Sequence, residues 1–350
     1  MRNVLVLFGG VSPEHEVSLR SAASVLSQID RTRNAVTTVG ITKDGRWLYT
    51  AADCAAIEDG SWEKQPGLPA MLSCDRSDRG LYLFENGRTR RVPVDVVLPM
   101  LHGENGEDGR LQGLFELAGL PFVGPGMRAS VCAMDKALTK VVLAAAGIRQ
   151  ADYLVMRRTM DRERIVAQVE SRFCYPVFVK PCGTGSSCGV SKAKNRTELL
   201  NALQLAFQYD EKLLVEEFIE GREIEVAVLG DRDGIYASCP GEICSGVEFY
   251  DYEAKYLTNT SSCHIPADLP AEVAQDIRET ACRVFEALEC HGHSRVDFFV
   301  LPDGSFLLNE VNTLPGFTSI SMYPKLMMYA QNLTYPELIE KLLESAEETK

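Results

Sequence analysis

The stretch that most constrains the fold is residues 295–321, which read RVDFFVLPDGSFLLNEVNTLPGFTSIS. Two apolar runs, residues 296–301 and 305–308, flank the tripeptide Pro302-Asp303-Gly304. Proline, aspartate and glycine between two apolar runs are typical of a tight turn. The stretch therefore predicts a β-hairpin whose two strands lie side by side.

Three oxygen-bearing side chains lie on the two predicted strands. Asp297 is early on the first strand, whereas Glu310 and Asn312 lie two residues apart near the end of the second and therefore point from one face. A solvated hairpin could carry ordinary surface carboxylates, but a charge within an apolar strand is costly unless it is paired. Oxygen ligands of this kind suit Mg²⁺ that is held jointly with substrate phosphates.

Length and charge limit the class of protein. A chain of 350 residues is too long for one ordinary core, so two or three domains are expected. The net charge of −13 argues against nucleic acid and against an anionic membrane surface as partners. The 11 cysteines include no CxxC pair, which favours free thiols in a reducing cytoplasm. We therefore expect a cytoplasmic protein without a nucleic-acid or membrane partner.

The N-terminus predicts a strand, a glycine turn and a helix. Residues 4–8 form a continuous apolar run, typical of a buried parallel strand, which Gly9-Gly10 ends. Ser12 is expected to cap the following helix, with Pro13 at its first position. Glu14 beside this turn could bind a substrate ammonium, or it could simply stabilise the helix N-terminus.

Further strands are expected at residues 36–41 and 94–99, and residues 42–92 between them are expected to form an insertion hairpin without chemistry. The last of these strands leads into the glycine-rich LHGENGEDGRLQG. The titratable residues of this loop are His102, Glu104, Glu107 and Asp108. A metal cluster is weakly indicated without cysteine or a second histidine. A mobile loop near a substrate is the preferred interpretation.

The middle of the chain holds a glycine- and serine-rich loop. Gly124-Pro125-Gly126 is an expected domain boundary, and residues 129–147 are expected to be one helical stretch that carries Lys136. A short apolar strand, residues 177–180, ends in Lys180 and continues as PCGTGSSCGV. Such a loop lets backbone N–H groups approach phosphates, and the lysine adds a point charge. It is not a Walker A loop, because no GK[ST] follows.

The last third offers a hinge, a long loop and an amphipathic helix. The helix is expected at residues 270–289, where one apolar stripe consists of Val273, Ile277, Ala281, Val284, Phe285 and Leu288. Gly221 separates two strand candidates in LVEEFIEGREIEVAVLG. A joint of this kind could hold adenine, with Glu223 on the ribose hydroxyls, although a plain hairpin would have the same pattern. The segment GVEFYDYEAKYLTNTSS has no clear period and predicts a functional lid, in which Lys255 and Tyr256 are the candidates for chemistry.

Seven motifs follow one another along nearly the whole chain: LFGGVSPEHEVS, LHGENGEDGRLQG, MDK, VKPCGTGSSCGV, EFYDYEAKY, RVDFFV and NEVNTLPGFTS. Their order resembles that of the D-alanine–D-alanine ligase family. The resemblance implies an α/β (α+β) fold, with a Rossmann-like parallel-sheet domain at residues 1–124 and the two lobes of an ATP-grasp fold at residues 125–216 and 217–350. It implies an ATP-dependent enzyme, usually a homodimer, which makes the D-alanine dipeptide for peptidoglycan through D-alanyl phosphate.

The resemblance also implies roles for particular residues. For ATP they are Lys136, Lys180, Ser187, Glu217, Phe218, Ile219, Glu223 and Lys255. For two Mg²⁺ ions, which Mn²⁺ can replace, they are Asp297, Glu310 and Asn312. For the two D-alanine molecules they are Glu14, His102, Arg295, Ser321 and Met322, the last two near the second carboxylate. The hydrogen-bonded trio of Glu14, Ser186 and Tyr256 would close the lid. Arg295 and the backbone of Gly316 would stabilise the oxyanion.

The acceptor is open between related substrates. Ligases that make the D-lactate ester commonly lack tyrosine at the position of Tyr256, so its presence favours an amine acceptor, D-alanine or D-serine. A D-alanine–D-serine or D-lactate ligase of the vancomycin-resistance type is therefore the alternative. A nucleotide-binding module without catalysis is disfavoured, because the metal and oxyanion residues occur together with Lys255. Cys182 and Cys188 depart from the family's loop and would make it sensitive to oxidation if they were exposed.

Overall fold

A computed structural model of the chain describes residues 1–244 and 262–348. Within these ranges, three sheets with helices packed against them form a mixed α/β protein. Lys255 and Tyr256, the two lid residues, lie outside the described residues. No helix in the described ranges is both long and apolar enough to cross a bilayer. Each of the 11 cysteines is a free thiol, as predicted.

The first sheet has a parallel core of three strands. Strand β1 (Arg2–Gly9) lies between β2 (Asn34–Ile41) and β7 (Val96–Leu101), and both pairings are parallel. The apolar run in β1 is buried from Val4 onward, which confirms the predicted internal strand. Antiparallel strands extend this sheet beyond β2: β3 (Trp47–Tyr49), β4 (Leu68–Leu72), β5 (Gly80–Glu85) and β6 (Arg88–Pro93).

The segment between β2 and β7 is therefore larger and more regular than the predicted insertion hairpin. Four strands, the helix α2 (Cys54–Glu58) and a 3₁₀ turn at Ser61–Lys64 occupy this part of the chain. Strand β6 escaped prediction because it is the exposed edge of the sheet, and its sequence RTRRVP buries none of its residues fully. Charged side chains and proline are typical of such an edge, where they prevent further strand pairing.

Two predictions about helices were wrong. Helix α1 (His15–Gln28) begins two residues later than expected, with Glu14 at its N-cap. Ser12 does not cap it, because its Oγ accepts the N–H of Glu14 at 3.1 Å within the preceding turn. The expected single helix at residues 129–147 is two helices, α4 (Met127–Met134) and α5 (Lys136–Ala145), which are separated at Asp135. With α3 (Arg110–Ala118), they are the helices between the first two sheets.

The break at Asp135 has a local cause. The Asp135 side chain accepts hydrogen bonds from the N–H groups of Ala137 at 3.1 Å and Leu138 at 3.2 Å. An aspartate that satisfies two otherwise unpaired N–H groups starts a new helix at the next residue. Lys136 is thereby the first residue of α5.

The second sheet is antiparallel, in the order β10-β9-β11-β8. Its strands are β8 (Tyr153–Arg157), β9 (Val177–Pro181), β10 (Ser191–Ala193) and β11 (Lys212–Glu217). Helices α6 (Arg162–Arg172) and α7 (Arg196–Tyr209) share one buried apolar cluster with these strands. One face of the sheet is thus covered by helices, and the other is left for the site.

The third sheet contains the predicted hairpin. Within the described residues its strands are β12 (Arg222–Asp231), β13 (Gly234–Ala237), β14 (Gly241–Cys244), β15 (Ser262–His264), β16 (Gly292–Val300) and β17 (Phe306–Asn312). Helix α8 (Ala271–Ala287) packs on it through the predicted apolar stripe, which includes Ile277, Ala281 and Phe285. The last helices are α9 (Met322–Gln331) and α10 (Tyr335–Glu348).

The C-terminal helices also pack against the first sheet. Leu338, Leu342 and Leu343 of α10 share a buried cluster with Val4 and Val6 of β1. At the edge of this cluster, Arg2 forms an ion pair with Glu340 at 2.7 Å. The end of the chain is thereby fixed to its beginning.

Candidate active site

A cavity of about 300 Å³ lies between the second and third sheets. Strands β9 and β11 line it from one side, and β12 and β17 line it from the other. Every residue assigned to ATP that the structure describes lines this cavity: Lys136, Lys180, Ser187, Glu217, Phe218, Ile219 and Glu223. Ser186 and Glu310 line it as well. The fold thus brings together residues that are far apart in the sequence.

The glycine- and serine-rich loop follows β9 and forms one wall of the cavity. Ser186 and Ser187 have φ angles of +47° and +57°, which residues other than glycine rarely adopt. The loop is held by Lys136, whose Nζ donates to the carbonyl of Thr184 at 2.6 Å, and by Asp210, whose carboxylate accepts from the N–H of Gly183 at 2.7 Å. These contacts fix a backbone shape that would otherwise be unfavourable.

The two cysteines of this loop differ in burial. Cys182 is fully buried, and burial raises the pKa of its thiol to about 12. Burial also raises the pKa of Cys188, which is partly exposed. The thiolate is the reactive form of cysteine, so both groups are poorly activated at neutral pH. The condition for oxidation sensitivity is not met at Cys182.

A buried ion cluster under the cavity was missed by sequence reasoning. Glu216 on β11 contacts Lys140 and Lys180, each at 2.6 Å and each through a different carboxylate oxygen. Burial opposes the charge of Glu216, but the two lysines lower its pKa to about 2. Burial likewise opposes the charge of Lys180, and Glu216 raises its pKa again. The glutamate within the apolar strand LLVEE could have predicted this cluster, because a charge in a buried strand needs a buried partner.

The hinge after β11 provides an apolar slot. The Phe178 and Phe218 rings lie 6.0 Å apart between centroids, and Ile243 and Leu308 also line the cavity. The carboxylate of Glu217 accepts from the N–H of Asp152 at 2.7 Å, which fixes the start of the hinge against β8. Apolar and aromatic walls with a few fixed polar groups are typical of a site for a planar ring.

The pairing of the two hairpin strands shifts by one residue between Asp297 and Phe298. Asp297 pairs with Glu310 across β16 and β17, and Arg295 pairs with Asn312. Asp297 is sixth of nine residues in β16, later than predicted, because this strand begins at Gly292. The amide of Asn312 donates to Asp297 Oδ2 at 2.9 Å. Three oxygen-bearing groups therefore meet at one place on the sheet.

Arg295 stands beside this oxygen cluster. Its Nε and a terminal nitrogen donate to Asp297 at 2.8 and 2.7 Å, and it also contacts Glu225 at 3.0 Å. Burial opposes the charge, but Asp297 and Glu225 raise the pKa of the guanidinium well above its ordinary value. Arg295 is therefore a fixed positive charge next to the hairpin acids.

The chemistry of the donors fits a divalent cation. Asp297, Glu310 and Asn312 offer hard oxygen atoms side by side. Within the described ranges, no group of three or more His, Cys, Asp or Glu residues could hold a metal ion alone. Mg²⁺ usually binds through one or two carboxylates and completes its shell with water and phosphates. The hairpin thus suits a cation shared with a phosphorylated ligand better than a self-sufficient metal centre.

Glu14 connects the first sheet to the glycine- and serine-rich loop. It is buried, and its carboxylate accepts a hydrogen bond from the Oγ of Ser186. Glu14 lines a second cavity of about 460 Å³, which shares Thr184 and Gly185 with the first. Two members of the predicted trio are therefore in contact, and the third, Tyr256, is outside the described residues.

The loop after β7 packs against Leu314, which follows the hairpin in the sequence. The metal cluster that was weakly indicated for this loop is not found among the described residues. His102 is buried, with Nδ1 3.0 Å from the carbonyl of Leu314 and Nε2 3.1 Å from Ser21 Oγ. Burial lowers the pKa of His102 to about 4. The carboxylate of Glu107 accepts from the N–H groups of Gly103 at 2.7 Å and Leu314 at 3.3 Å. Burial, followed by the charge of Glu14, raises the pKa of Glu107 to about 8.

The remaining substrate residues lie at the start of α9. A Cβ on Gly316 would be 2.7 Å from the Oγ of Ser321, so the two residues are in close contact. Ser321 Oγ accepts from the N–H of Thr318 at 3.0 Å, which closes a short turn. The Met322 side chain is 3% exposed and belongs to the core, so we expect only its backbone to face a ligand.

Comparison with known proteins identifies the family. Residues 3–125 match the family model described as D-ala D-ala ligase N-terminus, and residues 142–344 match that of the D-ala D-ala ligase C-terminus. The chain is 50% identical to the D-alanine–D-alanine ligase of Acetivibrio thermocellus, over 99% of this chain and 96% of that one. It is 46% identical to that of Caldicellulosiruptor bescii, over 98% and 94%.

Two solved structures are also similar. The VanG D-Ala:D-Ser ligase of Enterococcus faecalis has a TM-score of 0.89 and 38% identity, over 99% of each chain. The D-alanine–D-alanine ligase of Coxiella burnetii has a TM-score of 0.84 and 34% identity, over 99% of this chain and 95% of that one. Both family models and the full-length relatives agree with the motifs, and the two solved structures agree with the fold. The chain is a ligase and belongs to the D-alanine–D-alanine ligase family.

Proposed function

We propose that this enzyme uses ATP to join two D-alanine molecules into the dipeptide for peptidoglycan, with release of ADP and phosphate. The observation that supports this most is that the glycine- and serine-rich loop and Glu310 of the acidic hairpin line one cavity. The loop residue Ser186 also contacts Glu14 from the first sheet. The residues proposed for the phosphates, for the cation and for the amine are thereby adjacent.

In this proposal ATP occupies the cavity between the two sheets. Its adenine lies in the apolar slot at Glu217, Phe218 and Ile219, and Glu223 binds the ribose. Lys136, Lys180 and Ser187 contact the phosphates, and they are joined by Lys255 of the lid. The ordered loop and the two lysines are already in position before the ligand arrives, which reduces the free-energy cost of binding.

Asp297, Glu310 and Asn312 would hold two Mg²⁺ ions, which Mn²⁺ can replace. A bound divalent ion neutralises charge on the phosphate oxygens during phosphoryl transfer. The neighbouring Arg295 limits how much negative charge the hairpin presents without the metal. The oxygen donors and the positive charge are thus arranged for a phosphorylated substrate rather than for a metal alone.

The first step activates a carboxylate. Glu14 binds the ammonium of the first D-alanine, and this places its carboxylate toward the γ-phosphate of ATP. A carboxylate oxygen attacks phosphorus, the bond to the bridging oxygen of ADP breaks, and D-alanyl phosphate forms. The transferred group spreads negative charge over its oxygens, which nearby lysines stabilise.

The second step forms the peptide bond. The unprotonated amine of the second D-alanine attacks the acyl carbon, and phosphate leaves with the former carboxylate oxygen. Arg295 and the N–H of Gly316 stabilise the oxyanion, while Ser321 and the backbone of Met322 bind the second carboxylate. His102 and Glu107 position the loop that contains Gly316 through their contacts with Leu314. Closure of the lid through Tyr256 excludes water, which would hydrolyse the acyl phosphate.

We also propose the domain division at residues 1–124, 125–216 and 217–350, a cytoplasmic location and a homodimer. Large apolar side chains are exposed on the neighbouring helices α3, α4 and α5: Leu117, Met127, Val131, Leu138 and Val141. An exposed apolar surface of this kind is typical of an interface between subunits. Light scattering of the purified chain and of Val141→Glu tests this, and we expect the variant to shift toward the monomer.

D-serine as acceptor is the second candidate, because the VanG D-Ala:D-Ser ligase has a TM-score of 0.89 to this chain. Both reactions release one phosphate for each product. Phosphate release should therefore be measured with D-alanine alone and with D-alanine plus D-serine or D-lactate, and the product identified by mass spectrometry. The proposal predicts D-alanyl-D-alanine as the main product in mixtures. A predominant mixed dipeptide would establish the alternative.

A further inference from the structure

Lys140 is a buried lysine, although nothing in the neighbouring sequence predicts its burial. It is 4% exposed, although it is on α5, four residues after Lys136. Its Nζ contacts Glu216 Oε1 at 2.6 Å and the carbonyl of Ala151 at 3.2 Å. Nζ also lies 5.1 Å from the ring centroid of Tyr153. A lysine is rarely buried to this extent unless its charge is paired with an opposite charge.

The partner of Lys140 is shared with a residue of the ATP cavity. Glu216 is 5% exposed, and its second oxygen contacts Lys180 at 2.6 Å. Lys180 lines the cavity between the sheets, whereas Lys140 is not among the residues that line it. Three elements, α5, β11 and β9, therefore meet in one buried cluster of two cations and one anion. Its formal net charge is +1.

The surroundings make this net charge important. Other charged groups that act on Lys180 include Glu310 of β17 and Glu223 of β12, and both raise its pKa. They are negative, like the phosphates of ATP. If Glu216 had only Lys180 as a partner, the two charges would cancel, and Lys180 would contribute no net positive charge toward the phosphates. With Lys140 on the first oxygen of Glu216, Lys180 is only partly neutralised.

We propose that Lys140 is a positioning residue for ATP, which acts through Glu216 to leave the positive charge of Lys180 available to the phosphates. This inference depends on the proposed use of ATP. Lys140 itself touches neither the nucleotide nor the reacting atoms. Its role is to provide the second positive charge beside the buried carboxylate of Glu216.

The test restores the net charge without restoring the lysine. Lys140→Met lowers the net charge of the cluster from +1 to 0, and Lys140→Met/Glu216→Gln returns it to +1. Binding of ADP with Mg²⁺ to the full chain is measured by calorimetry at several salt concentrations. We expect Lys140→Met to weaken binding about tenfold, the size of one charge-assisted hydrogen bond, and to make it less dependent on salt. The double variant should recover most of the affinity.

Controls separate this charge effect from a loss of structure. Lys140→Arg should bind ADP within about threefold of wild type, because it retains the cation. Arg196→Met removes a cation from an ion pair with Glu163 and Glu170 on the helical face of the same sheet, and should leave ADP affinity unchanged. Melting temperatures are recorded for every variant. If Lys140→Met does not fold, the double variant and Lys140→Arg decide the question.

The outcomes are distinct. Recovery of affinity in the double variant supports the inference. A double variant that binds ADP as weakly as Lys140→Met, or more weakly, contradicts it, and so does a folded Lys140→Met with wild-type affinity and salt dependence. In the absence of a folded Lys140→Met, a double variant about tenfold weaker than wild type also contradicts it. Failure of the wild-type chain to bind ADP would contradict the proposed function itself.

Discussion

Arg295 and Asp297, two residues apart on β16, form a two-point ion pair with distances of 2.8 and 2.7 Å. The pair connects two parts of the proposed reaction, since Arg295 is assigned to the oxyanion and Asp297 to the metal. Asp297 is also bound by the amide of Asn312. These contacts therefore connect the residue proposed for the oxyanion directly to the residues proposed for the metal.

Replacement of Glu310 by glutamine should abolish turnover and leave the fold intact. The variant removes one charged oxygen from the hairpin at nearly constant volume. We expect phosphate release to fall by about 100-fold or more, because a group that stabilises transferred charge is lost. Phosphate release with ATP and D-alanine, together with a thermal melt, measures both properties.

Asp303→Asn is the matched control for Glu310→Gln. Asp303 lies in the exposed turn of the same hairpin, where it accepts from the N–H and Oγ of Ser305 at 2.9 and 2.7 Å. We expect its variant to keep the wild-type rate. A wild-type rate in Glu310→Gln would refute the metal assignment.

The contact between Ser186 and Glu14 should appear as energetic coupling. Ser186→Ala, Glu14→Gln and the double variant form a cycle that is followed by kcat/KM for D-alanine. A hydrogen bond between a hydroxyl and a buried carboxylate predicts a coupling of about 1–3 kcal/mol. ADP affinity should change little in Ser186→Ala. Additive losses in the cycle would show that the two residues act independently.

Gly189→Ala should destabilise the protein more than Gly87→Ala does. Gly189 has a φ of +75°, and a Cβ there would lie 2.7 Å from the ring of Tyr209 and 2.9 Å from Pro181. Gly87, with a φ of +73°, has nothing within 4 Å of the same position. Backbone strain alone costs about 1–2 kcal/mol at either site. We expect Gly189→Ala to lose a further 1 kcal/mol or so in denaturant unfolding, by crowding. Equal losses would exclude the crowding.

His293 should make the protein sensitive to acid. It is buried beside the rings of Phe317 and Tyr323, and neither ring nitrogen has a hydrogen-bond partner among the described residues. Burial, followed by the nearby His102, lowers the pKa of His293 to about 3. An unfolded histidine titrates near 6.5, so between about pH 6.5 and 3 the unfolded chain binds a proton that the folded chain refuses. The contribution is therefore intact above about pH 6.5 and is lost as the pH falls, at up to about 1.4 kcal/mol per pH unit.

His293→Leu removes this group and should make the free energy of unfolding less dependent on pH between about pH 6 and 4. Urea unfolding at several pH values gives the slopes. His264→Gln, at an exposed position on β15, is the control and should keep the wild-type dependence. An unchanged slope in His293→Leu would mean that the folded protein accepts the proton at this site.

Local patterns predicted much of the fold. The apolar run in β1, the turn at Pro302-Asp303-Gly304 and the stripe on α8 each reflect a short-range rule, and each element is present. The pairing of Asp297 with Glu310 does not follow from the turn alone, because an irregularity between Asp297 and Phe298 shifts the register by one residue. Most ligand positions came from the family resemblance, which supplies the three-dimensional arrangement that single patterns lack.

The omissions and errors have both distant and local causes. Nothing near Lys140 distinguishes it from a solvated helical lysine, because its partner Glu216 lies on another strand. The edge strand β6 was overlooked because its charged side chains have no apolar face. The delayed start of α1 has a local cause that was misjudged: Ser12 hydrogen-bonds within a turn, and Glu14 takes the cap position in contact with Ser186.

Transfer of an oxygen atom tests the central claim most directly. D-alanine labelled with ¹⁸O in its carboxylate is incubated with ATP, Mg²⁺ and the enzyme, and the released phosphate is analysed by mass spectrometry. Activation of the carboxylate by phosphoryl transfer predicts one ¹⁸O atom in phosphate for each dipeptide formed. Dipeptide formation with unlabelled phosphate would contradict the account.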